Sequence, residues 1–147
     1  MGKIIIYTDG GSRGNPGLAA IGVVITNENG TVLKRYSQYL GEDLTNNEAE
    51  YQAVIFALKK VKALFGKEKA SNSEIEINSD SQLIVKQLNG EYKIMDANIQ
   101  PLFLKAWNLK IDFKNIKFKS IPREKNQEAD RLVNEALDDK DKLTSLF

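Results

Sequence analysis

Three strand-like runs precede the first helical period in this chain, and that order constrains the fold more than any other feature. "KIIIYTD" (3–9) is β-branched and aromatic, the composition of a buried strand. "LAAIGVVITNENGTVLKRYSQYL" (18–40) reads as two strands joined by the turn Asn27-Glu28-Asn29-Gly30. Strands one to three are therefore expected to form an antiparallel meander. Only then does "TNNEAEYQAVIFALKKVKALF" (45–65) become helical, with Val54, Ala57, Leu58, Val61 and Phe65 on one stripe. After a polar loop (66–73) the signals alternate. A strand (73–80), a short helix (81–90) closed by Gly90, a helix (96–111) with Pro101 near its first turn, a strand (115–122) and a last helix (126–140) follow. The order β-β-β-α-β-α-α-β-α predicts an α/β fold: a mixed five-stranded sheet, its first three strands antiparallel, with helices on both faces. One domain is expected over 1–138, with 139–147 as a C-terminal tail.

What the chain lacks narrows its chemistry. There is no cysteine and no histidine, so thiolate metal sites and the commonest general base are both excluded. Catalysis must rest on carboxylates, hydroxyls, lysine or a metal held by oxygen. The net charge is only +1, but residues 101–125 carry seven Lys and Arg against Asp112 and Glu124, a local basic excess suited to a polyanion. No run is long enough to span a membrane, and "MGKIIIYTDGG" is too short in apolar residues for a signal peptide. A cytoplasmic protein with no membrane partner, monomeric by default, is the expectation.

Four acids stand where structural roles explain them poorly. Asp9 ends an apolar strand and enters the glycine-studded stretch "YTDGGSRGNPG" (7–17). Glu50 lies one turn before Val54 on the apolar stripe, where an unpaired charge is costly. Its neighbour Glu48 has a simpler use, because Thr45-x-x-Glu48 is a capping box. Asp80 follows a strand directly, next to a second capping pattern, Ser79-x-x-Gln82. Asp130 is in register with Val133 and Leu137 and is expected to face inwards. Four like charges at one rim of a sheet call for a cation. With oxygen ligands alone, Mg²⁺ or Mn²⁺ is the natural choice, and two such ions suit phosphodiester hydrolysis.

The residues resemble the type 1 ribonuclease H family. "YTDGGSRGNPG", "TNNEAEYQA", "INSDSQLIVKQL" and "PREKNQEADRLVNEA" are similar to its four signature blocks, in order, with the acids 41, 30 and 50 residues apart. The likeness covers residues 3 to about 138. It implies an RNase H-like fold and an endonuclease that cuts the RNA strand of RNA/DNA hybrids with two Mg²⁺ ions, Mn²⁺ substituting, leaving 5′-phosphate and 3′-hydroxyl ends. Asp9, Glu50, Asp80 and Asp130 fall on the family's catalytic, metal-holding carboxylates. Gly11, Asn15, Asn46, Asn47 and Gln82 match positions that contact the RNA strand, and Thr45 and Asn15 match positions that hold a DNA phosphate. Gly10 and Asn126 are further substrate-site candidates. The family's mobile histidine is replaced by "IPREKNQ", where Arg123 is the candidate phosphate contact. The short loop and "NGEYKIMDANIQPLFLKAW" resemble the archaeal-type branch, with seven residues (90–96) too few for the basic protrusion. Trp107 reads as core rather than as a base-stacking platform.

Alternatives stay open at this stage. A catalytically silent hybrid-binding module is one, and an ATP-binding domain of the actin and sugar-kinase class is another, although that class needs two such domains. Double-stranded RNA is a second substrate to be considered. "KLTSLF" (142–147) is similar to sliding-clamp-binding peptides, with Lys140 where glutamine is usual; packing back on the domain is the competing expectation.

Overall fold

The computed structural model describes residues 2–146. Strands β1 (Lys3–Arg13), β2 (Gly17–Asn27) and β3 (Val32–Leu44) form the antiparallel meander, and β4 (Glu74–Ser79) and β5 (Asn115–Ser120) extend the sheet in parallel. The strand order is β3-β2-β1-β4-β5, with β1 central. Gly30 closes the β2–β3 turn with its N–H on the Asn27 carbonyl (3.0 Å) and a φ of 83°.

Helices α1 (Asn46–Phe65), α3 (Gln82–Leu88) and α4 (Gln100–Lys110) share one face, and α5 (Gln127–Ser145) covers β1, β2 and β3 on the other. Strand alternation assigns side chains to the two faces. Ile4, Ile6, Val23 and Ile25 pack with Tyr51, Val54, Leu58 and Val61 of α1. Tyr7 and Val24 pack with Ala129 and Leu132 of α5, and Ala20 with Val133, Ala136 and Leu137.

Five expectations need correction. The polar loop contains a helix, α2 (Lys67–Asn72), which seats Ala70 in the main core. Residues 139–145 are not a separate tail but continue α5, held by an Arg13–Asp141 ion pair (2.7 Å) and by Lys140 over the Tyr39 ring (5.2 Å). Within 142–147, Leu143 and Leu146 do not pack back: they are 56% and 75% exposed, and Phe147 lies outside the described residues. Trp107 is not core. Helix α4 buries Leu102 and Ala106, leaving Trp107 on its outer side, stacked on Phe103 (5.7 Å between centroids) beneath Lys110. The connection between α3 and α4 runs over 89–99, longer than expected, and contains no helix.

Strand β1 holds the correction that matters for function. Asp9 does not end it; the ladder to β2 continues through Gly10, Gly11, Ser12 and Arg13, and only Gly14, Asn15 and Pro16 turn. Among the described residues, no helix is long and apolar enough to cross a membrane.

Candidate active site

Two glycines bring helix starts down onto the centre of the sheet. A Cβ on Gly10 would lie 2.3 Å from the Ala49 carbonyl carbon and 2.4 Å from the Glu50 nitrogen, so only glycine lets α1 rest on β1 there. Gly22, the cross-strand partner of Asp9, does the same for α5: a Cβ there would lie 2.1 Å from the Ala129 carbonyl oxygen. In both helices the residue pressed on the glycine is an alanine that immediately precedes an acid, Glu50 or Asp130.

The start of α1 is fixed further by side chains. Thr45 and Glu48 form the expected capping box, with Glu48 N–H on Thr45 Oγ1 (3.2 Å) and Thr45 N–H on Glu48 Oε1 (3.1 Å). Ser12 N–H donates to Asn46 Oδ1 (2.8 Å), and Asn46 N–H donates to Asn15 Oδ1 (2.9 Å). These bonds stitch α1 to the end of β1. The cap of α3 is Ser81, whose Oγ accepts from Ile84 N–H (3.4 Å), and not the expected Ser79. Ser79 is still in β4, paired with Thr8, and its Oγ accepts from Ser81 N–H (3.1 Å).

Asp9, Glu50 and Asp80 consequently offer carboxylate oxygens that all lie within 4.8 Å of one another. Glu50 is only 6% exposed and Asp9 8%, and Glu50 accepts the N–H of Gly10. Asp130 is exposed and stands outside this triple, at the rim of the same cavity of about 380 Å³. Ala129 takes the contact with Gly22, and Asp130, though exposed where its register with Val133 suggests burial, turns to the cavity, close enough to hydrogen-bond with Asp9.

Burial and mutual repulsion dominate the electrostatics. Burial pushes the Asp9 carboxyl up to about 7, with the charges of Asp80 and Asp130 adding to it and a hydrogen bond with Glu50 opposing it. Burial and the Asp9 charge hold Glu50 well above the ordinary carboxylate range. Asp80 is also raised by burial, with a smaller push from Asp130, while Asn126 and Arg123 pull it down. Acids held together in this state are suited to a hard cation, which replaces the shared protons and satisfies an all-oxygen donor set. Asp9, Glu50 and Asp80 could hold a metal ion, with Asp130 beside them.

The cavity also has Gly10, Gly11, Asn46, Asn47 and Arg123 in its wall. Asn15 and Thr45 are not in the lining but adjoin it, bonded to Asn46 and to Glu48. Gln82 is exposed on the first turn of α3, outside the cavity lining. Asn126, expected to meet substrate, is 1% exposed; its Nδ2 donates to the Thr8 carbonyl (2.9 Å), tying the start of α5 to β1 next to Asp9. It supports the site from beneath. Four polar lining residues were missed in the sequence: Ser12, Arg13, Ser81 and Asn134. Asn134 was signalled only by its place one helical turn after Asp130.

A family model described as reverse transcriptase-like matches residues 7–136. Among solved structures, LC11-RNase H1, isolated from compost by a metagenomic approach, is 51% identical and superposes with a TM-score of 0.89, covering 95% of this chain and 99% of that one. The same protein in complex with an RNA/DNA hybrid gives 50% identity and a TM-score of 0.88, covering 94% and 99%. Ribonuclease HI of Halobacterium salinarum is 40% identical over 138 residues, 94% of this chain and 66% of that protein. The bifunctional protein Rv2228c of Mycobacterium tuberculosis is 39% identical over 137 residues, which are 92% of this chain and 36% of that protein. The chain thus spans about a third of the mycobacterial relative's length and about two thirds of the haloarchaeal one's.

Proposed function

Because this chain belongs to the type 1 ribonuclease H family, we propose that it hydrolyses the RNA strand of RNA/DNA hybrids at the acid-lined cavity. The observation that carries the reading is the convergence of Asp9, Glu50 and Asp80 within 4.8 Å, two of them buried, in a chain with no histidine or cysteine. Asp9, Glu50, Asp80 and Asp130 would hold two Mg²⁺ ions, Mn²⁺ substituting, which supply Lewis-acid activation of water and stabilise charge on the phosphate. The net reaction adds water across the P–O3′ bond. The water oxygen joins phosphorus and O3′ leaves with a proton, giving 5′-phosphate and 3′-hydroxyl ends.

The chain's own groups would orient the hybrid. Asn46 and Asn15 have their Oδ1 atoms occupied by backbone N–H groups, which leaves each Nδ2 donor as the outward end of its side chain. Donors of that kind recognise the 2′-hydroxyl and the sugar edge without reading base sequence. The bare backbone at Gly10 and Gly11 gives the sugar-phosphate chain close access. Arg123 faces the cavity from the opposite wall, beside Asp80, as a phosphate contact.

The test is cleavage of end-labelled RNA/DNA, RNA/RNA, DNA/DNA and single-stranded RNA with Mg²⁺, Mn²⁺ or EDTA, beside Asp9→Asn. Cutting strongest on the hybrid, confined to duplexes containing RNA and lost with EDTA or the variant, is expected. Hybrid binding with no cutting under either metal would replace the enzyme with a binding module.

A further inference from the structure

We propose that Arg13 is a positioning residue for Asp130, acting through the side chain of Asn134; this rests on the hybrid-cleaving function above. Arg13 closes β1 at the cavity wall, and both terminal nitrogens of its guanidinium are engaged by α5. Nη1 donates to Asp141 Oδ2 (2.7 Å), and Nη2 to Asp138 Oδ1 (2.7 Å) and Asn134 Oδ1 (3.3 Å). The three acceptors lie on successive turns of one helix face, so a rigid planar fork can meet them together where an ammonium group could not.

Holding the oxygen of Asn134 decides where its nitrogen goes. Asn134 Nδ2 donates to the Asp130 carbonyl (3.1 Å) and to Asp130 Oδ2 (3.4 Å). An amide whose oxygen is fixed cannot turn over without losing both ends. Asp130 also meets the Asp9 carboxyl across the cavity, but Asn134 is its side-chain partner within α5, and Asp130 is the exposed acid outside the buried triple. Asp9 and Glu50 are placed by packing; Asp130 is placed by the line Arg13–Asn134–Asp130. The two aspartates on Arg13 also neutralise it, so the guanidinium at the cavity wall does not act as a rival cation for the acids.

The experiment measures Mn²⁺ binding to the protein alone by calorimetry, and hybrid cleavage across Mg²⁺ concentration, for Arg13→Met and Asn134→Leu. Asn134→Leu leaves the Arg13–Asp138 and Arg13–Asp141 pairs in place, so it tests the line without loosening α5. Each variant is expected to weaken Mn²⁺ binding about fivefold and to raise the Mg²⁺ needed for half-maximal cleavage similarly, with KM for the hybrid unchanged. In an Asp130→Asn background the same substitutions should change Mn²⁺ binding less than about twofold, because the target of the line is gone. An equal loss in both backgrounds, or no loss in either, overturns the proposal. If the wild type fails to cut hybrids while Arg13→Met still weakens Mn²⁺ binding only when Asp130 is intact, the functional reading falls and the positioning role stands.

Discussion

The starts of α1 and α5 reach the sheet by the same device and deliver their acids into different environments. Each helix sets an alanine on a glycine of the β1–β2 pair, Ala49 on Gly10 and Ala129 on Gly22. Glu50 ends up buried, accepting the Gly10 N–H, whereas Asp130 is left exposed at the rim and depends on Asn134. A close helix–strand contact therefore fixes the backbone of an acid but not its desolvation. The second property depends on what else closes over the acid: Glu50 is enclosed beside Asp9 and the Gly10 N–H, whereas Asp130 opens onto the cavity.

Neutralising the two acids separates these roles most strongly. Glu50→Gln and Asp130→Asn should both abolish most hybrid cleavage, on the order of 10³-fold for Glu50. Their effects on metal-free stability should differ. Glu50→Gln relieves buried repulsion with Asp9 and is expected to raise Tm at pH 7.5, while Asp130→Asn moves it little. A Tm for Glu50→Gln below that of Asp130→Asn in EDTA would break the comparison.

The glycine seats come next in size. Gly10→Ala and Gly22→Ala drive a methyl group into helix backbone and should each cost about 3 kcal/mol by urea unfolding. Gly11→Ala is the control: its Cβ would meet only Val133 Cγ1, at 3.3 Å, and should cost less than about 1 kcal/mol. Equal costs at all three positions would mean that the helices are not seated where the two short approaches place them.

The pH dependence follows from the raised acids. Asp9, lifted to about 7, and Glu50 and Asp80, also lifted, bind more protons in the folded than in the unfolded chain. Their contribution to stability is complete below the unfolded carboxylate range near 4 and is lost as pH rises through the folded values. Metal-free protein should lose Tm between pH 4.5 and 7.5. Added Mn²⁺ should raise Tm more at the upper end, where protons no longer compete. A metal-free Tm that climbs across this window would show that the three acids are not repelling one another.

Much of this architecture was legible in the chain, for definite reasons. The hairpin turn at Asn27–Gly30, the α1 stripe and the Thr45–Glu48 box are local patterns, and the structure contains each of them. The convergence of Asp9, Glu50 and Asp80 followed from placing acids at strand ends and helix starts. The extension of β1 through Gly10 and Gly11 was not legible, because glycines read as a turn when the helix that presses on them is remote in sequence. The exposure of Asp130, the burial of Asn126 and the exposure of Trp107 were missed for a related reason. Helical register gives a residue's angle around its own axis, while the neighbouring elements decide which angle is buried.

The smallest predicted effect concerns two glutamates two residues apart on α1. Glu48 accepts the Thr45 N–H and closes the capping box, while Glu50 reaches the acid cluster. Thr45→Ala removes one half of the box and should cost about 1 kcal/mol, lowering Tm by roughly 3 °C in a chain of this size. Glu48→Ala should cost less, since the Thr45 hydroxyl still caps the Glu48 N–H, and the double variant should fall short of the sum of the singles. Because Glu48 points back to the cap, Glu48→Ala should cut hybrids at nearly the wild-type rate below its melting range. A large loss of activity in that variant would mean that the start of α1 positions Glu50 through its cap as well as through Gly10, and the glycine seat alone would no longer account for the buried acid.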